Sequence, residues 1–264
     1  MNPTLSVIHN RRSVRKYAET PLTEAEKDAI LAAAMRAPTA GNMMLYSIIA
    51  VEDQALKDRL AVTCDDQPFI AKAPWVLLFV ADYQRWMDLF EFSGAAAACL
   101  EKGLSPRLPA EGDLLLACCD ALIAAQTAVI AAESLGIGSC YIGDILENCE
   151  IHREMFSLPR YTLPVTLLCF GRPFAEREEV RLNKRFDREF IIHRDVYTPI
   201  PTSNLPRMME TVAPAQYAEM DPIERAKLIA NNNYTRKFVA DFSVEMNRSV
   251  RKWIGSWAGE QPIE

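Results

Sequence analysis

The sequence predicts an α+β protein in which a central mixed sheet is covered by helices. Segments of helical and of strand periodicity alternate along the 264 residues. The stretch "APWVLLFVADY", Ala73 to Tyr83, is apolar throughout its middle, as a strand buried on both faces must be. The alternation is not that of a dinucleotide-binding unit. Gly136, Gly138 and Gly143 lack the G-x-G-x-x-G spacing, and the helical stretch precedes them instead of following.

The elements follow in order. "LSVIHN" reads as a short first helix. Thr23 caps the next, with Glu26 completing a capping box. Ile30, Leu31 and Ala34 form its apolar face, and Pro38 stops it. The loop Pro38 to Asn42 leads into a strand over "YSIIAVED". "LKDRLAVTC" is helical, and the buried strand comes next. From Gln84 to Glu111 the pattern weakens into helix pieces and a loop, suited to a lid. Trp86, Phe90 and Phe92 there serve either as core or as pocket wall.

"LLLACCDALIAAQTAVIAA", Leu114 to Ala132, is long enough to cross a bilayer. Asp120 and Gln126 interrupt it, and a carboxylate is expensive in lipid, so the expectation is a central buried helix and no membrane association. Gly136 caps its end. "GIGSCYIGDI" is a Gly-punctuated strand or loop, "ILENCEIHREMFSLP" a helix ended by Pro159, and Val165 to Phe170 a further strand. Asp187 to His193 reads as helical. Asp221 and Pro222 start another helix. Phe238, Phe242, Met246, Val250, Trp253 and Trp257 then recur at three- or four-residue spacing, one stripe on one long helix. That stripe must be buried on the chain's own core or on a partner. Residues 1–199 form the expected main domain and 200–264 a helical extension.

The formal net charge of −6 argues against nucleic acid as a partner. Seven cysteines without a CxxC pair suggest reduced thiols in the cytoplasm and no metal site, and no signal peptide is apparent at the N-terminus. Against this acidic background, "RRSVRKY" gathers Arg11, Arg12, Arg15 and Lys16 with no acid among them. No phosphate-binding glycine loop exists, so any phosphate must be held by side chains. The planar fork of arginine suits that.

Taken in order, "RRSVRKY", "APTAGN", "GIGSCYIGD", the strand end "FGRP" and the basic "NKRFD" resemble the FMN-dependent nitroreductase family over residues about 5 to 197. The resemblance implies a nitroreductase-like α+β fold with a mostly antiparallel sheet and an interwound homodimer. Arg11, Arg12, Ser13 and Arg15 match the family's FMN phosphate and ribityl cluster, and Lys184 and Arg185 its late basic position. Pro38, Thr39, Ala40 and Asn42 match a loop that reaches the flavin ring, in part from the other subunit. Tyr141, Ile142 and Gly143 match the segment beside the ring. The family often carries Gln where Met44 stands. The implied activity takes hydride from NADH or NADPH and passes it to a small acceptor such as a nitroaromatic or quinone, with no catalytic side chain named. Alternatives are a reductive dehalogenase, whose lid would need a Tyr that is missing between Glu91 and Lys102, a flavin-fragmenting synthase, or a non-catalytic flavin-binding module.

Overall fold

The computed structural model describes residues 2–174 and 182–259. Its centre is a four-stranded sheet in the order β1 (Tyr46–Ala50), β2 (Trp75–Asp82), β4 (Thr162–Gly171), β3 (Gly138–Ile142). All three strand pairings are antiparallel. A single parallel bridge, Ser13 to Ser139, joins the N-terminal segment to β3.

β2 is buried along its whole length, and its alternate residues feed two cores. Trp75, Leu77 and Phe79 face the layer of α2 (Glu24–Met35) and α6 (Glu111–Ser134). Val76, Leu78 and Val80 face the layer of α3 (Gln54–Thr63) and the end of the C-terminal helix. The alanines explain how α6 sits on the sheet. Ala117, Ala121, Ala124, Ala125, Ala128 and Ala132 are fully buried, so small side chains let the helix backbone approach closely. Its larger residues point away: Leu115 is 67% exposed and Leu116 51%. α6 is long and apolar enough to cross a membrane, but its inner face packs on the sheet and Asp120 is buried at 2% exposure.

The capping box on α2 forms as the local sequence requires. Thr23 Oγ1 accepts from the Glu26 amide, and Glu26 accepts from the Thr23 amide at 2.8 Å. The remaining helices around the sheet are α1 (Pro3–Asn10), α4 (Gln84–Ser93), α5 (Ala95–Glu101) and α7 (Cys149–Met155).

The chain divides into two compact units, residues 1–176 with 245–264, and residues 177–244. The second unit contains α8 (Leu205–Val212) and α9 (Pro222–Asn233), the latter capped by Asp221, which accepts from the Ile223 and Glu224 amides. The expected helix over Asp187 to His193 shortens to one tight turn, Arg188–Phe190. Only Phe190 is buried there, while Ile191 and Ile192 are over half exposed, so nothing rewards extending a helix beyond its costly first turn.

The predicted C-terminal stripe is also shorter. A widened turn, Tyr234–Phe238, precedes α10 (Asp241–Ala258), so Phe238 lies off the helix and 71% exposed. The end of α10 packs on the first unit's own core. Trp253 and Trp257 are 1% exposed, Trp257 stands edge-on to Tyr161 at 5.8 Å, and Arg153 lies over the Trp253 ring at 4.3 Å. Arg248 adds an ionic anchor, bonding Glu150 on α7 at 2.9 Å and Glu245 at 2.7 Å.

Candidate functional site

The basic segment runs beside β3 and the end of β4. Val14 N–H donates to Ser139 O at 2.9 Å, and Ala18 N–H donates to Arg172 O at 2.9 Å. Two glycines permit this approach. A side chain at Gly138 would collide with Val14, and one at Gly171 would meet the Tyr17 ring. Tyr17 thus anchors the segment, and burial pushes its phenol far above the ordinary range.

This arrangement brings Arg11, Arg12, Ser13 and Arg15 against the strand that carries Ser139, Cys140 and Tyr141. Burial raises the Cys140 thiol, and Arg15, Ser13 and Arg11 partly offset that rise. Burial also raises Tyr141, to about 12, with Arg11 opposing. The Tyr141 hydroxyl donates to Gln126 Oε1 at 3.1 Å. Burial lifts the Glu133 carboxyl, with Arg11 and Arg12 pulling it down. Yet among the described residues no carboxylate forms an ion pair with Arg11, Arg12 or Arg15. The buried Ser139 hydroxyl has no hydrogen-bond partner among the described residues. Guanidinium groups that lack an ion pair among the described residues have the charge and donors that suit an anion.

The loop Pro38 to Asn42 stands elsewhere on the unit. Gly41, Asn42 and Met44 all have left-handed backbone, at φ 56, 56 and 49. For Asn42 and Met44 this is a strained conformation that neighbours must hold. Asp120 does so from α6, accepting from Ala40 N–H at 2.9 Å and Leu45 N–H at 3.1 Å. Thr39 Oγ1 accepts from Met44 N–H at 3.1 Å, and the Trp86 indole donates to Met43 O at 2.7 Å. Pro38, Gly41 and Asn42 remain exposed.

Asp120 holds this loop, whereas Glu133 lies beside the arginines. At 1.5 Å per residue these points on α6 are about 20 Å apart. One chain therefore carries the loop beside the middle of α6 and the arginine cluster beside its C-terminal end.

The other predicted positions are as follows. Ile142 is 1% exposed, so its side chain belongs to the core and only its backbone remains for a ligand. Gly143 is exposed directly after it. Lys184 and Arg185 fall in the other compact unit. Both are exposed, and Arg185 donates to the backbone oxygens of Asn183 and Lys184. Trp86 is neither plain core nor free pocket wall, because its indole is spent on the loop, and Phe92 is 88% exposed.

Sequence reasoning missed Asp120 as a site element. Its signal was a lone carboxylate in an otherwise apolar helix, which was weighed only against a bilayer. Glu147 is buried, at 5% exposure. Burial raises it to about 7, and Asp144, Asp65 and Glu245 push the same way.

Comparison with known proteins gives a consistent result. The sequence profile of the Nitroreductase family matches residues 8–172. The oxygen-insensitive NADPH nitroreductase of Salmonella typhimurium is 32% identical over 213 residues, covering 81% of this chain and 82% of its own length. The FMN reductase (NADPH) of Bacillus subtilis is 31% identical over 211 residues, 80% of each chain. A solved nitroreductase from Bacillus subtilis superposes with a TM-score of 0.72 at 27% identity, covering 92% of this chain and 98% of that one.

Proposed function

The chain belongs to the nitroreductase family, and on that premise we propose that it is an FMN-dependent oxidoreductase. It takes hydride from NADH or NADPH and reduces a small organic acceptor such as a nitroaromatic or quinone. The observation that carries this reading is the set Arg11, Arg12, Ser13 and Arg15, packed on β3 with no carboxylate ion pair to these arginines among the described residues.

The residues fit the group. A phosphate monoester carries about −1.5 to −2 charge near neutral pH, which suits several guanidinium groups and a hydroxyl. Arg11, Arg12, Ser13 and Arg15 would hold the phosphate and ribityl chain, and the family pattern assigns Lys184 and Arg185 to phosphate as well. Tyr141, Ile142 and Gly143 would present backbone to the ring edge. Pro38, Thr39, Ala40 and Asn42 would approach that ring from a second copy of the chain, the Asn42 amide both donating and accepting. When bound, FMN supplies the two-electron hydride chemistry at N5. The chain's own task is to bind and orient the ring, and no side chain is assigned to proton or hydride transfer.

The proposal includes a homodimer. The loop lies beside the middle of α6 and the arginines beside its C-terminal end, and the outward face of that helix is apolar, with Leu122 45% and Ile123 40% exposed. A two-fold pair that covers this face would bring the loop of one chain toward the arginines of the other. All seven cysteines are free thiols, in keeping with a reducing cytoplasm.

The test is spectroscopic. Purified protein should be yellow, bleach on addition of NADPH or NADH under nitrogen, and regain its colour with a nitroaromatic or quinone. A yellow protein that neither nucleotide bleaches would be a passive flavin binder, and the enzymatic reading would fall.

A further inference from the structure

Asp120 is a buried carboxylate in an apolar helix, an expensive arrangement unless both oxygens are satisfied. They are: Oδ1 takes the Ala40 N–H and Oδ2 the Leu45 N–H, the two amides that bracket the left-handed residues Gly41, Asn42 and Met44. The aspartate side chain offers one oxygen to each amide, whereas asparagine offers a single oxygen and would turn an N–H against the other amide. The loop is closed on its other side by the Trp86 indole on Met43 O and by Arg85, 3.4 Å from Met44 O. Its ends are thus fixed while Gly41 and Asn42 stay exposed.

The geometry points to Asp120 as the positioning residue for the flavin-facing loop. It acts from within one subunit on the flavin site that the other subunit's arginines form. This rests on the FMN and dimer reading above. Asp120 touches no ligand itself; its effect is on the conformation that delivers Asn42.

Asp120→Asn keeps the shape and removes one acceptor. The FMN dissociation constant should rise at least about tenfold, measured well below the melting transition of either protein, with the dimer intact by sedimentation. Mixed dimers give the readout that a general loss of stability would not produce. In a heterodimer of one Asp120→Asn chain and one Arg11→Ala chain, one site combines both lesions and the other combines neither. One tight FMN per heterodimer is expected, and no tight FMN in either mutant homodimer. Should Asp120→Asn not fold, Ala40→Pro deletes one of the same bonds without touching α6. Thr39 at φ −133 and ψ 153 already has the backbone that precedes proline. The Ala40→Pro dimer should show the same weakening. Unchanged FMN affinity in a folded Asp120→Asn or Ala40→Pro protein, or no tight site in the heterodimer, would overturn the proposal. If the unmodified protein itself takes up no FMN, the flavin reading fails, not the role of Asp120.

Discussion

Gly138 and Val14 interlock: a Cβ on residue 138 would stand 2.8 Å from Val14 Cβ and closer still to its Cγ2. This contact seats the arginine segment on β3. Gly138→Ala should therefore cost about 1–3 kcal/mol by overpacking and loosen FMN together with it. At roughly 2–4 °C per kcal/mol, the loss is readable in a thermal melt. Adding Val14→Gly should restore much of the FMN affinity, because it removes the Cβ and both methyl groups that collide. A Gly138→Ala protein with the parent melting temperature and FMN affinity would show that the contact is slack.

Arg11→Ala and Arg15→Ala should each weaken FMN by about 1.5–3 kcal/mol, the loss expected for a charge-assisted hydrogen bond, or roughly 10- to 150-fold. Equilibrium titration of the flavin-free protein measures it. Arg11→Ala combined with Arg185→Ala should weaken binding further, with the dimer preserved. An unaltered dissociation constant would remove the phosphate assignment.

Glu147 predicts a pH dependence of stability. Burial and the acids around it push its carboxyl up to about 7, above the ordinary value of 4.5. The folded state therefore holds the proton more tightly than the unfolded state. The stability this group contributes is present in full below about pH 4.5 and is lost as pH rises through about 7. Glu147→Gln should flatten that part of the curve and melt higher than the parent protein at pH 8. Parallel pH profiles for the two proteins would contradict the assignment.

Trp253 closes the core under α10, fully buried and stacked with Arg153. Trp253→Ala should cost about 3–5 kcal/mol. Arg248→Ala, at a half-exposed ionic network, should cost about 1 kcal/mol or less, shrinking in high salt. Denaturant unfolding of both separates the two scales, and equal losses would mean that the ionic anchor had been undervalued.

What was legible in the sequence was local. Thr23 and Glu26 are three residues apart, and their box forms as read. The apolar run of β2 and the alanines of α6 were visible because periodicity and side-chain size act along the chain. Asp120 was visible as an oddity, yet its partners Ala40 and Leu45 lie 80 and 75 residues away, and no local pattern names them. The stripe on α10 announced a buried face without saying which surface covers it. It also ran through Phe238, because spacing alone does not register the widened turn at Tyr234–Phe238. The helix expected over Asp187 to His193 failed for lack of anything to pack against, which is a tertiary fact.

The central claim is that the arginine cluster holds the phosphate of FMN. Titration of flavin-free protein with FMN and with riboflavin tests it most directly, since the two differ only in that phosphate. FMN should bind at least about 100-fold more tightly, the least expected from losing two charge-assisted hydrogen bonds. Equal affinity for both flavins, or a colourless protein that takes up neither, would contradict the account.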